Sequence, residues 1–252
     1  IAKVALQQPL EEVRLPISQS GLVIGGGVAG MEAALALAEQ GYPVTLVEKK
    51  DILGGHGRKL LTAWSGEPIA PYLEGLVKKV ESHPKISVRT KSSLKEVTGF
   101  VGNFKTTLDV DGRSETVEHG VAVIAVGAHS YKPSEYQYGQ SDRIFLNLDM
   151  DRAIAERQDA VVKARSAVFI QCVGSREPDR PYCSRVCCSH SIENAIRIKE
   201  INPGADVYVL YRDIRTYGLR ENVYREAREK GVLFIRFDVD RKPQVELEGD
   251  GL

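Results

Sequence analysis

The chain has 252 residues, of which 42% are hydrophobic and 27% are charged, so its composition is that of an ordinary soluble protein with a hydrophobic core. The formal net charge is zero, which argues against nucleic acid or an anionic membrane surface as a partner. No apolar run is long enough to span a membrane, and no secretory signal opens the chain. All four cysteines lie within the 17 positions 172–188, which disfavours a disulfide framework, and we expect a cytoplasmic protein.

Residues 1–20 are predicted to form an arm, with a short helix at residues 1–6 and extended chain after it. The next segment predicts a β-α-β unit: a buried strand at residues 21–25, a helix at residues 31–40 and a second strand at residues 43–48. The turn after the first strand carries the sequence G-x-G-x-x-G, with its glycines at Gly25, Gly27 and Gly30.

Each glycine of this turn has a physical reason in a dinucleotide-binding site. Gly25 permits the tight turn, Gly27 lets a pyrophosphate approach the backbone, and Gly30 lets the helix pack closely on the strand. The helix N-terminus offers N–H groups to the phosphates. Glu48 ends the second strand, 18 residues after Gly30, where a carboxylate hydrogen-bonds a ribose hydroxyl. The pattern predicts a dinucleotide site; the alternative is a tight turn without a ligand.

The loop that follows contains Gly54 and Gly55 and resembles the FAD-binding loop of two-dinucleotide-binding flavoproteins. This resemblance favours FAD over NAD and puts Gly55 near the flavin side; His56 is either beside the flavin or simply solvated. A helix is predicted at residues 68–82, a short strand at 86–90 and an antiparallel meander at 94–118. A buried strand at 121–128 then returns to the first sheet, which places Gly127 close to the cofactor; the alternative is another core strand.

Residues 129–147 are predicted to be a linker, followed by a helix at 148–158. Strands at 167–172, 206–211 and 232–237 alternate with helices at 189–201 and 221–230, the order of a second Rossmann-like unit. Only Gly174 remains of its glycine-rich turn, so we do not expect a normal NAD site there. The predicted fold class is α/β, with two Rossmann-like units and an antiparallel β-meander: an arm (1–20), an FAD-binding domain (21–147) and an incomplete second domain carrying the cysteines (148–252).

The cysteines Cys172, Cys183, Cys187 and Cys188 follow the spacing C-x10-C-x3-C-C. Four thiolates suit a [4Fe–4S] cluster, and nearby Arg176, Arg180 and Arg185 would offset its negative charge, although adjacent cysteines rarely reach one metal centre. A structural zinc site usually shows paired C-x2–4-C motifs, and a redox-active disulfide usually shows C-x-x-C; neither is present. The remaining alternative is a set of buried reduced thiols, with His190 an incidental neighbour.

The A subunits of heterodisulfide reductase and its bacterial relatives are resembled by the segments 171–176, 182–188 and 207–218, by His190, Asn194 and Ala195, and by residues 22–31, 53–55 and 99–104. The resemblance implies that the four cysteines ligate a [4Fe–4S] cluster close to FAD, and that the chain is an electron-transfer subunit of a cytoplasmic, oligomeric complex. Its partners would be the other subunits, an electron-input module and ferredoxin, and its flavin would split an electron pair.

Three departures from the family pattern bear on these expectations. The chain lacks the family's C-terminal part, with a returning flavin-binding segment and ferredoxin-type motifs, and its more N-terminal part, so it resembles a fragment. Glu193 stands where bifurcating members carry a lysine, and an acid there disfavours an anionic flavin. Two rival functions follow from the residues alone: an NAD(P)H-dependent flavin disulfide oxidoreductase, and a docking fragment without a cofactor.

Overall fold

The computed structural model describes residues 15–247, so the helix predicted at residues 1–6 lies outside the described residues. The described chain forms two compact units. The first contains residues 15–55 and 73–127, and the second contains residues 56–72 and 128–247. Both units are mixed α/β structures, and the domain limits predicted from the sequence stay a prediction.

The first unit is built on a four-stranded parallel sheet. Its strands are β1 (Gly21–Ile24), β2 (Val44–Val47), β3 (Ile86–Arg89) and β7 (Val121–Ile124), in the spatial order β3-β2-β1-β7. Helix α1 (Val28–Glu39) joins β1 to β2 and contacts both strands, burying Met31, Ala34, Leu35 and Ala38. Helix α2 (Ile69–Ser82) precedes β3. The predicted strands and helices are therefore confirmed within a few residues.

The antiparallel meander follows β3 directly, as predicted. It consists of β4 (Ser92–Phe100), β5 (Asn103–Val110) and β6 (Arg113–His119), in the spatial order β4-β5-β6. Leu108 of β5 is fully buried and packs with Leu22 of β1 and Val47 of β2. The meander therefore covers a face of the parallel sheet.

Strand β7 is not the buried strand that the sequence predicts. It pairs in parallel with β1, but Val121 is 48% exposed and Ile124 is 75% exposed. An apolar run indicates burial only where other elements pack on it, and β7 is an edge strand that pairs on one side only. The prediction of a buried strand at this position is wrong.

The second unit contains a three-stranded parallel sheet with helices packed on it. Its strands and helices, in chain order, are α3 (Asn147–Ala155), α4 (Asp159–Val162), β8 (Ser166–Ile170), α5 (Cys187–Ile201), β9 (Asp206–Tyr211), α6 (Glu221–Glu229) and β10 (Leu233–Arg236). The spatial order of the strands is β10-β9-β8. The core lies between the sheet and the helices and includes Phe169, Ile192, Ile198, Val207 and Val209.

Strand β8 is also less buried than predicted. Phe169 packs in the core, whereas Val168, which points to the opposite face, is 54% exposed. The helices of this unit form the hydrophobic core with the Phe169 face of the sheet. Among residues 15–247, no helix combines the length and the apolar composition that crossing a membrane requires.

Candidate functional site

The glycine-rich turn lies between β1 and the start of α1. Steric contacts within the chain require glycine at two of the three positions. Gly25 has φ +111°, and a Cβ placed there would overlap the carbonyl oxygen of Ala125. A Cβ on Gly30 would overlap the carbonyl oxygen of Gly25. These two residues are therefore explained by the turn and by its close packing.

Gly27 needs a different explanation. It precedes the first residue of α1 with φ −76°, a value that any residue adopts, and nothing lies within 4 Å of the position of an added Cβ. No side chain caps this end of α1, and its first turn carries no acidic residue. The open space before an uncapped helix N-terminus fits the phosphates of a dinucleotide, so the residues present suit the cofactor that the sequence predicts.

Glu48 lies beside this turn at the carboxyl end of β2. One carboxylate oxygen accepts a hydrogen bond from the backbone N–H of Gly26 at 2.7 Å, and the other accepts one from Lys50 N–H at 2.8 Å. The residue is 7% exposed. Each carboxylate oxygen keeps a second lone pair, so Glu48 has acceptor capacity left for a hydroxyl. The ribose contact stays a prediction.

The double-glycine loop packs on the glycine-rich turn. The N–H of Gly54 donates to the carbonyl of Gly26 at 2.7 Å, and a Cβ on Gly55 would lie 3.1 Å from the Cα of Gly27. Gly55 therefore lies at the turn itself. Gly127 follows β7 with φ +67° and open space around it, and its place beside the flavin stays a prediction.

His56 is exposed and makes one hydrogen bond to the chain, and its place beside the flavin stays a prediction. Its Nε2 donates to the carbonyl oxygen of Ala128 at 2.6 Å. This bond joins the segment after the double-glycine loop to the residues that follow β7, both within the second unit.

The cysteines lie at the carboxyl end of β8 and the beginning of α5. Cys172 follows β8 with φ +64°, and α5 begins at Cys187, so Cys187 and Cys188 share its first turn. Arg176 donates to Cys172 Sγ from Nη1 at 3.8 Å and pairs with Asp213 through Nη2 at 2.6 Å. The thiol of Cys188 donates to the carbonyl oxygen of Asp213 at 3.8 Å. Arg176 and Asp213 thus link the first cysteine to the last.

The thiols differ in their tendency to ionise. A hydrogen bond with Cys188, reinforced by Ser184 and by backbone N–H groups, lowers the pKa of Cys187 to about 6. The Cys187 thiolate and burial together raise the pKa of Cys188. Burial raises the pKa of Cys172, an effect that Arg176 partly offsets. The two adjacent thiols therefore differ, with Cys187 the more readily ionised of the pair.

The donor set fits an iron–sulfur cluster in kind and number but is not arranged around one point. Cys172, Cys187 and Cys188 affect one another's pKa electrostatically. Across the described chain, no set of three or more His, Cys, Asp or Glu side chains is placed to hold a metal ion. Of the predicted cations, Arg176 lies beside a cysteine, and Arg185 is exposed.

A model of the pyridine nucleotide-disulphide oxidoreductase family matches residues 20–169, which cover the glycine-rich turn, the meander and most of β8. The chain belongs to this family. Membership makes it an oxidoreductase and agrees with the dinucleotide site predicted from Gly25, Gly27 and Gly30.

The resemblance to the A subunits of heterodisulfide reductase is confirmed. The chain is 28% identical to the second iron–sulfur A subunit of CoB–CoM heterodisulfide reductase from Methanopyrus kandleri, an alignment that covers 94% of the chain and 50% of that protein. It is 29% identical to the A subunit of H2:CoB–CoM heterodisulfide,ferredoxin reductase from Methanothermobacter marburgensis, with the same coverage. The chain thus spans about half the length of the relatives it matches.

Solved structures of flavoprotein disulfide reductases share the fold. Thioredoxin reductase of Lactococcus lactis superposes with a TM-score of 0.56 at 16% identity, over 92% of this chain and 68% of that one. Bacillithiol disulfide reductase of Bacillus cereus superposes with a TM-score of 0.52 at 16% identity, over 86% and 67%. At such identities the likeness concerns the fold alone.

Asp213 lies near the cysteines but was not singled out from the sequence. Asp213 follows β9, and the rule that carboxyl ends of parallel strands meet at one edge could have brought it to the cysteines. His190, expected as an incidental neighbour of the cysteines, contacts a carboxylate: its Nε2 is 2.9 Å from both carboxylate oxygens of Asp151, a residue only 1% exposed. No periodicity in the sequence joins residues 39 positions apart.

Proposed function

We propose that this chain is the FAD- and [4Fe–4S]-binding part of an electron-transfer subunit in a complex of the heterodisulfide reductase type. FAD is held at Gly25, Gly27, Gly30 and Glu48, with Gly55 and Gly127 near the flavin side. The cluster ligands are Cys172, Cys183, Cys187 and Cys188. The architecture corresponds to two Rossmann-like units, the second incomplete. Other subunits, an electron-input module and ferredoxin are the partners of this cytoplasmic, oligomeric assembly.

The observation that carries the proposal is the position of the cysteines. Cys172 follows β8, and Cys187 and Cys188 begin α5, at the carboxyl edge of the second parallel sheet, where an α/β fold binds its ligand. Relatives that cover nearly the whole chain are named iron–sulfur subunits. Arg176 supplies positive charge at Cys172 and so stabilises a thiolate ligand there.

The residues of the chain would bind and tune the two groups. When bound, the flavin supplies two-electron chemistry and the cluster supplies one-electron chemistry. The N-terminus of α1 holds the phosphates, and Glu48 holds the ribose. Burial raises the pKa of Glu193, which stands where bifurcating relatives carry a lysine. The resemblance keeps electron bifurcation within the proposal.

Anaerobic purification with iron and sulfide reconstitution tests the proposal directly. We expect about four irons, four acid-labile sulfides and one FAD per chain, with flavin and cluster bands in the visible spectrum. The matched variant Cys183→Ser should lose iron but keep FAD, because Cys183 is far from the glycine-rich turn in the sequence. Flavin without iron in the wild type would refute the cluster, and a colourless protein would favour the docking fragment.

A flavin disulfide oxidoreductase is the second candidate, favoured by the pKa of about 6 at Cys187 beside the protonated Cys188. A thiolate next to a thiol is the reactive state of a redox dithiol. Oxidation of NADH or NADPH by the iron-free protein, together with two titratable thiols that disappear on oxidation, would establish it. Absence of both would exclude it.

A further inference from the structure

The segment between Cys172 and Cys188, here called the cysteine segment, is in contact with an aromatic residue from outside it. The ring of Tyr131, in the linker that follows the first unit, lies so close to Gly174 that a Cβ on Gly174 would overlap ring atoms Cδ1 and Cε1. Gly174 is buried and has φ +66°. Both the backbone conformation and the ring therefore require glycine at this position.

The other contact on the ring comes from the same segment. The guanidinium of Arg180 lies 4.3 Å from the centroid of the Tyr131 ring, a cation–π distance. Glu177 and Arg180 form a tight hairpin through two backbone hydrogen bonds of 3.1 and 2.9 Å. The Tyr131 hydroxyl also donates an exposed hydrogen bond to Glu135 of its own linker at 3.2 Å. Tyr131 thus joins both ends of the stretch 174–180.

We infer that Tyr131 is a positioning residue for the cysteine segment: its ring, packed between Gly174 and Arg180, holds the stretch that separates Cys172 from Cys183. The inference rests on the proposed function for what the cysteines bind. The restraint of these two thiols by the ring does not depend on whether the cysteines bind any group.

The backbone of the segment explains why it needs an outside support. Cys172, Gly174 and Arg176 all have positive φ, which costs free energy at the two that are not glycine. The stretch contains neither helix nor strand. Apart from the ring, Arg212 donates to the carbonyl of Arg176 at 3.0 Å from another side. Removing the ring would expose Gly174 to water and release one of these supports.

Cysteine reactivity in the metal-free chain gives the first test. The reduced protein is treated with iodoacetamide, and alkylation of each cysteine is followed by peptide mass spectrometry. We expect Tyr131→Ala to speed alkylation of Cys172 and Cys183 about tenfold, because these thiols become accessible when the segment opens. Tyr131→Phe keeps the ring and should stay within about twofold of wild type. Tyr138→Ala, an aromatic truncation in the same linker, is the matched control.

Arg180→Gln provides a second route if Tyr131→Ala does not fold. Its side chain is partly exposed, so the fold tolerates the change, and alkylation of Cys183 should rise in the same direction by a smaller factor. Equal alkylation rates in Tyr131→Ala, Arg180→Gln and wild type would overturn the inference.

Iron retention gives the second test and separates the inference from the proposed function. After anaerobic reconstitution, Tyr131→Ala should lose its visible absorption to a chelator about tenfold faster than wild type, and Tyr131→Phe should not. If wild type takes up no iron, the cluster proposal fails while the alkylation rates still decide the role of Tyr131. If wild type and Tyr131→Ala hold iron equally and alkylate equally, the inference fails while the cluster proposal stands.

Discussion

Gly27 and Gly30 belong to one motif, but glycine is needed at them for different reasons. A Cβ on Gly30 would overlap the Gly25 carbonyl, so Gly30→Ala should destabilise the chain by about 2 kcal/mol or more. A Cβ on Gly27 meets nothing within 4 Å, so the unfolding free energy of Gly27→Ala should stay within about 0.5 kcal/mol of wild type. It should nevertheless bind FAD about tenfold more weakly, because its methyl group fills the phosphate space.

Urea unfolding of the FAD-free proteins and fluorescence titration with FAD measure these two effects separately. Wild-type FAD affinity in Gly27→Ala would contradict the phosphate site at α1. Wild-type stability in Gly30→Ala would contradict the close packing of helix and strand.

Glu193 illustrates how burial of one carboxyl group links stability to pH. Burial raises its pKa, an effect that Arg197, His190 and Arg220 reduce and Asp151 increases. An acid whose pKa is raised on folding favours the native state at low pH, and this contribution is lost as pH rises through the folded pKa. Glu193→Gln stays neutral at every pH, so it should be more stable than wild type at about pH 8 and equal to it at about pH 4.

Thermal unfolding at the two pH values checks this prediction. Glu229→Gln, at an exposed position on α6, is the matched control and should change neither midpoint. A Glu193→Gln protein that is less stable than wild type at the higher pH would show that the charged carboxylate is needed by its cationic neighbours.

At the scale of elements, the meander contains a buried histidine that must stay neutral. His119 of β6 is 1% exposed and stacks on Phe104. Its Nδ1–H donates to the Val121 carbonyl at 3.1 Å, so Nε2 accepts from the Thr106 hydroxyl at 2.8 Å. Burial lowers the pKa of His119. Protonation would place a second N–H on Nε2 and remove that acceptor.

The unfolding free energy of the first unit should therefore decrease as pH falls below about 6.5. In this range His119 binds a proton in the unfolded chain but stays neutral in the native state. The loss can reach about 1.4 kcal/mol per pH unit in this window. His119→Gln should flatten this part of the curve, whereas His83→Gln should not. Urea unfolding between about pH 7 and pH 5 makes the comparison, and an unchanged slope in His119→Gln would contradict the assignment.

The elements themselves were largely predictable, because periodicity is a local property. The helices α1 and α5 and the three strands of the meander follow from spacing along the sequence. Burial of strands was not predictable in the same way: Ile124 and Val168 lie in apolar runs but are 75% and 54% exposed. The contacts of Tyr131 with Gly174 and of Asp213 with Arg176 depend on tertiary structure, which leaves no periodic signal.

At the scale of the whole molecule, the second sheet presents an apolar face to solvent. Side chains alternate between faces, and the register aligns two apolar rows across the sheet: Val168–Tyr208–Leu233 and Ile170–Leu210–Ile235. Leu233 is 50% exposed and Ile235 is 49% exposed. Parallel sheets usually have both faces covered, so we expect this exposed apolar face to promote self-association.

Neighbouring residues of β10 allow a sharp test of this surface. Ile235→Lys places a charge on the apolar face, so we expect less binding of a hydrophobic dye and less concentration-dependent self-association, with the unfolding midpoint close to wild type. Phe234→Lys is the matched control: Phe234 packs with Tyr224 on the opposite face, so this change should unfold the second unit. Light scattering and circular dichroism measure both variants. Unfolding of Ile235→Lys would show that the face is a packed core surface instead.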